Sequence, residues 1–116
     1  MKYALLIYTD PTLAPTPNSP EAGEQMAQYY AFTTEVAQSG QMKAGEALMA
    51  PADATTVRIR DGKTTTTDGP FAETREYLGG FYTVDCESID QAIEWAAKIP
   101  GVKTGSIEVR PVWEVM

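Results

Sequence analysis

Tyr3-Ala4-Leu5-Leu6-Ile7-Tyr8 is a continuous apolar run closed by Thr9, Asp10 and Pro11, and its reading decides the fold. Six residues bounded by turn signals are too few for a globular helix, so the run is expected to be a strand. Side chains alternate across a strand. Tyr3, Leu5 and Ile7 therefore point one way and Ala4, Leu6 and Tyr8 the other, and both faces call for cover. Helices packed on one side meet half of that demand. The other half needs something else.

Outward from this strand, Asp10 to Pro20 holds four prolines among small polar residues and is expected to be an irregular surface loop. Ser19-Pro20-Glu21 reads as an N-cap, a first-turn proline and an acid favoured by the helix dipole, so a helix should run from there until Ser39-Gly40. Its expected inner stripe is Met26, Tyr29, Tyr30, Thr33, Val36 and Ala37. Met42 to Leu48 is a second strand interrupted by Gly45, and Pro51 to Asp53 turns the chain. Val57 to Arg60, Asp61-Gly62 and Lys63 to Thr67 form a hairpin around a dipeptide suited to a tight turn, with its threonine arm at a sheet edge. Tyr77 to Cys86 is a central strand entered through Gly79-Gly80. Ser88 and Gln91 have capping-box spacing, and Ile89, Ala92, Ile93, Ala96 and Ala97 mark the stripe of a second helix ended by Pro100-Gly101. Ser106 to Val115 alternates as a last strand, confined to an edge or a bulge by Pro111. The predicted architecture is α+β: a ferredoxin-like βαββαβ domain with an inserted β-hairpin, spanning residues 1–116 as a single domain. A second copy laid against the uncovered sheet face would make it a homodimer.

Composition narrows the chemistry. The chain has 116 residues, 43% of them hydrophobic, enough for one core and no second domain. Nine basic against sixteen acidic residues give a net charge of −7, which disfavours nucleic acid and anionic membrane surfaces as partners. Only six uncharged residues separate Lys2 from Thr9, so no secretory leader or membrane span is expected and the compartment expected is cytoplasmic. The chain contains no histidine, which removes the usual general base near neutral pH. Cys86, the single cysteine, sits in an apolar run and is expected to be a buried thiol. No metal and no cofactor are expected.

Several polar residues stand out as candidates. The Asp68 carboxylate reads either as a turn cap, with Gly69 and Pro70 bending the chain and Phe71 anchored in the core, or as a general base at a cavity mouth. Arg75 suits a bidentate clamp on a substrate carboxylate, or a solvated pairing with Glu73 or Glu76. Tyr8, Tyr29 and Tyr82 can offer phenolic hydrogen bonds to a ligand, as can Tyr30 and Tyr77. Glu46 is an acid within an apolar strand, and Glu108 and Arg110 share one face as a surface ion pair.

Met1-Lys2-Tyr3 leading to Leu5-Leu6-Ile7-Tyr8, Asp68-Gly69-Pro70-Phe71-Ala72-Glu73-Thr74, Leu78-Gly79-Gly80-Phe81-Tyr82, Ala92-Ile93-Glu94-Trp95-Ala96 and Glu108-Val109-Arg110-Pro111 form a set of motifs along the chain. Through them the chain resembles the YCII-related family in its DGPF branch. The resemblance implies a dimeric α/β barrel, in which two sheets enclose an interior able to hold a small ligand. It also implies either a cofactor-independent enzyme acting on a small organic acid or aromatic molecule, or a noncatalytic sensing dimer associated with an extracytoplasmic-function sigma factor. The His and Asp pair suggested for other YCII relatives does not carry over to a chain without histidine.

Overall fold

The alternation in the opening run resolves into one buried and one open face. In the computed structural model, which describes residues 1–114, β1 (Lys2–Thr9) buries Tyr3, Leu5 and Ile7 and leaves Ala4, Leu6 and Tyr8 half-exposed. The loop that follows leads to α1 (Pro20–Gln38), whose cap is the expected one: Ser19 Oγ accepts from the Ala22 backbone N–H at 3.1 Å. The helix ends at Ser39, and Gly40 takes φ +78°, a left-handed conformation that glycine adopts without steric cost.

β2 (Met42–Ala47) is followed by a single 3-10 turn at Pro51–Asp53 and then by β3 (Thr55–Arg60) and β4 (Lys63–Asp68). β5 (Tyr77–Asp85), α2 (Ile89–Lys98), a second 3-10 turn (Pro100–Lys103) and β6 (Ser106–Pro111) complete the order. The expected last strand is therefore shorter than Ser106 to Val115, and Val115 lies outside the described residues. The main sheet runs β2-β5-β1-β6 with every neighbouring pair antiparallel. β5 lies between β1 and β2, the split βαβ arrangement, so this α+β chain is compatible with a ferredoxin-like fold. Among the described residues no helix is long and apolar enough to cross a membrane.

Both helices cover the same face of the sheet. Phe32 and Val36 of α1 and Ala92 and Ala96 of α2 form one core with Tyr3, Leu5, Ile7, Tyr82, Val84 and Ile99. The helical stripes agree with expectation at Tyr29, Thr33, Val36, Ala92 and Ala96 and differ elsewhere, Ala37 and Ala97 being exposed. On α1, Met26 and Tyr30 are exposed and Phe32 is buried. Phe32 wins the inner position because its ring meets Tyr82 edge to face at 5.0 Å and Trp95 at 6.2 Å, filling the seam between the helices. On α2, Ile89 and Ile93 are exposed, while Ala92 and Ala96 allow close approach to the sheet and Trp95 packs beside them. The Trp95 indole N–H donates to Gln41 Oε1 at 2.7 Å. Cys86 is buried as expected, and burial raises its thiol pKa, which keeps it protonated.

The opposite face is uncovered within one chain. Leu6 lies between Phe81 and Glu108, and Ala4 between Thr83 and Arg110, so a small-to-medium apolar centre is flanked by the Glu108/Arg110 ion pair. Glu46 stands opposite Phe81 on the other flank.

The hairpin departs from expectation in its position. β3 and β4 form a sheet of their own instead of extending an edge of the main one. Asp61 and Gly62 at its tip take φ +53° and +75°, the geometry of a tight turn matched to strand twist. All of β4 is exposed, and Val57 and Ile59 of β3 are exposed on a common face. The hairpin stands out as an arm, and the Cα radius of gyration is 16.1 Å, against about 13 Å for a compact chain of this length.

Candidate functional site

A cavity of about 540 Å³ opens between the first turns of α1 and the β2–β5 end of the sheet. Its size falls within the usual range for small-molecule sites. Two features of the sequence create it. The first turn of α1 presents the small Ala22 to the sheet, with Gln25, Met26 and Tyr29 bordering the space beyond it. Beneath it the sheet is paved with Gly45, Gly79 and Gly80. A Cβ on Gly45 would stand 2.8 Å from Tyr82 Cδ1, and one on Gly80 would stand 2.9 Å from the Glu46 carbonyl oxygen. The glycine floor therefore lets the Tyr82 ring lie against β2 and keeps the two backbones close.

Met26, Met42, Ile7 and the rings of Tyr29 and Tyr82 make the lining largely apolar. Thr9 and Gln25 add polar groups at its border, and its wall holds a hydroxyl pair: Thr33 Oγ1 and Tyr82 Oη are 2.7 Å apart. Either hydroxyl can be the donor, so one proton and several lone pairs remain for a third group. Tyr29 Oη accepts from the Gly101 backbone N–H at 3.2 Å, and burial raises its pKa, so this phenol stays neutral.

The structure thus brings two of the candidate tyrosines, Tyr29 and Tyr82, to one site. Glu46 also borders the cavity, but by strand parity its side chain belongs to the open sheet face with that of Phe81. It is exposed. Tyr8 lies elsewhere, in a second depression of about 470 Å³ at the base of the arm with Leu48, Met49, Phe71, Tyr77 and Leu78.

Asp68 and Arg75 border neither space. Asp68 is exposed at the end of β4, opposite Thr55. The turn after it is held by backbone groups: Gly69 N–H donates to the Ala54 carbonyl at 2.7 Å and Thr56 Oγ1 donates to the Gly69 carbonyl at 2.8 Å. Gly69 takes φ +98°, which explains the glycine. Phe71 is 78% exposed, so it does not anchor this turn in the core; it forms a wall of the second depression. Arg75 is also exposed, and its contact is with Asp10 (Nε to Oδ2, 4.0 Å) instead of Glu73 or Glu76. Glu76 accepts from Ser106 Oγ at 3.2 Å.

Asp10 itself escaped the sequence reading and is the one buried charged residue among those described. Its Oδ1 accepts from the Thr12 backbone N–H at 2.9 Å and hydroxyl at 2.6 Å, closing the turn after β1. The available signal was the spacing Asp10-Pro11-Thr12, which suits a side-chain turn. The Thr12 bonds, then Arg75, hold the Asp10 carboxyl below its ordinary value. A depressed carboxylate contributes stability above its unfolded pKa and loses it as pH falls through the folded one. The stability gap between the wild type and Asp10→Ala should therefore be constant at neutral pH and shrink below about pH 4. Urea denaturation across that range checks it; a gap independent of pH would show that the carboxylate charge is not involved.

A small α+β domain with its helices on one sheet face and a cavity between the first helix and the sheet is thus the class that the fold and site define. The YCII-related domain description matches residues 1–116. An uncharacterized protein of Rhizobium meliloti (strain 1021) is 36% identical over 114 residues, covering 97% of this chain and 92% of its own. The chain belongs to the YCII-related family.

Proposed function

We propose that this protein is a small-molecule-binding homodimer of the DGPF branch of its family, with the ligand held in the cavity between α1 and the sheet. The observation that carries this reading is a preformed, mostly apolar space of about 540 Å³ with a hydroxyl pair in its wall. Binding sites of this kind combine apolar surface with a few placed polar groups.

The homodimer is supported by the open sheet face, where Leu6, Phe81 and Ala4 lie in the centre and charged residues at the flanks. That pattern of apolar core and polar rim suits a twofold interface. Burial of about 800 Å² per subunit would make an association of standard size. A cofactor-independent enzyme would need an acid–base group beside the ligand, and Asp68 and Arg75 both lie outside the cavity of their own chain. Ligand binding without turnover fits the geometry better. An association with a sigma factor rests on the resemblance alone.

Native mass spectrometry of protein purified from its own host tests the reading. The expected result is a dimer with a reproducible small-molecule adduct, and an Ala22→Trp variant that remains dimeric but loses the adduct, because the indole fills the space. An adduct retained by folded Ala22→Trp would place the ligand elsewhere.

A further inference from the structure

Resting on that reading, we propose that the cavity selects an uncharged aromatic molecule bearing one hydroxyl or carbonyl group, and discriminates against the corresponding carboxylate. The walls favour an aromatic body: Met26 and Met42 offer polarizable, adaptable side chains, and the rings of Tyr29 and Tyr82 supply flat surface. The Thr33/Tyr82 pair supplies the polar end of the site. Because either oxygen can donate, the pair matches a ligand hydroxyl or carbonyl by reorienting its protons, and it brings no net charge.

An anion finds no such match. Among the described residues Glu46 is the one charged residue bordering the cavity, and its side chain lies on the open sheet face, so the lining holds no cation. Lys43, close by in β2, is not part of the lining, and its charge acts on Asp85. The N-terminus of α1 offers an anion little. Pro20 has no N–H, the Ala22 N–H is taken by Ser19 Oγ, and the Gly23 N–H is taken by the Ser19 carbonyl, which leaves the Glu21 N–H. Glu21 and Glu24 add negative charge to the same turns. A carboxylate entering this space would give up water for an apolar wall with no cation to pair with, which is costly. A hydroxyl loses far less.

Isothermal titration calorimetry at neutral pH with 2-naphthol and 2-naphthoate tests this, because the two share a ring system and differ in charge. The expected result is binding of 2-naphthol at least about tenfold tighter than 2-naphthoate, a difference the desolvation of an unpaired carboxylate readily supplies. Thr33→Val should weaken 2-naphthol several-fold by removing one member of the hydroxyl pair. Ala22→Trp should abolish binding; if that variant does not fold, Met26→Trp, at a position already exposed, blocks the same space. Equal or tighter binding of 2-naphthoate that is still blocked by the tryptophan would overturn the charge selection while leaving the cavity as a ligand site. Failure of both probes to bind, or binding unaffected by either tryptophan, would overturn the cavity reading and this inference with it.

Discussion

Leu5→Ala is expected to lower the unfolding free energy by about 2–5 kcal/mol, the range for emptying a leucine site in a well-packed core. Leu5 has no solvent exposure. It sits in β1, between Tyr82 of β5 and Val109 of β6, and shares its core with Val36 and Ile99. β1 is an inner strand, hydrogen-bonded on both sides, so its backbone cannot move inward to close the void without disturbing two ladders. The upper part of the range is therefore expected, with a fall in melting temperature of roughly 10 °C or more. Urea titration of the two proteins measures the difference. A loss below about 1 kcal/mol would mean that the core around Leu5 collapses freely, contrary to the packing described.

The adjacent residue should behave differently. Leu6→Asp is expected to convert a dimer into a monomer while leaving the monomer folded, because Leu6 points to the open sheet face between Phe81 and Glu108. In one chain that face is half-exposed, so an aspartate there remains solvated. In a sheet-to-sheet dimer it would bury a charge at the centre, twice over by symmetry, at a cost of several kcal/mol for each uncompensated ion. Sedimentation velocity reads the change as halved mass, and circular dichroism checks that the fold persists. Dimers of unchanged stability in Leu6→Asp, or a wild type that sediments as a monomer, would reject this face as the interface. Together the two substitutions separate the two sides of one strand.

The order of elements was legible because it depends on local signals. Ser19-Pro20-Glu21, Ser39-Gly40, Asp61-Gly62 and Ser88 each mark a boundary through a backbone conformation or a cap that needs those residue types. Which way each helix faces was less legible. Met26, Tyr30, Ile89 and Ile93 are apolar and suitably spaced, yet they are exposed, while Phe32 and Trp95 pack inward beside the expected Ala92 and Ala96. That choice depends on how closely a helix approaches the sheet, which alanine spacing and ring stacking decide jointly. The candidate site was legible only in part. Tyr29 and Tyr82 emerged as tyrosines on a helix and a strand, but the space between them comes from the small residues Ala22, Gly45, Gly79 and Gly80, whose contribution is what they lack. Asp68 and Phe71 drew attention as a motif, whereas the buried carboxylate belongs to Asp10.

The free-standing arm has a consequence for colloidal behaviour. A two-stranded hairpin that joins no larger sheet has two unpaired edges, and the Thr64–Thr67 run on β4 is an uncharged, β-prone segment of the kind that templates intermolecular pairing. Arg58, Arg60 and Lys63 cluster on this arm of an otherwise acidic chain. Two arms approaching edge to edge would bring these like charges together, partly offset by Asp61 and Asp68, which is expected to oppose fibrous pairing. Charge-neutralising changes on the arm would leave the folded core untouched and shorten the shelf life of the protein in solution.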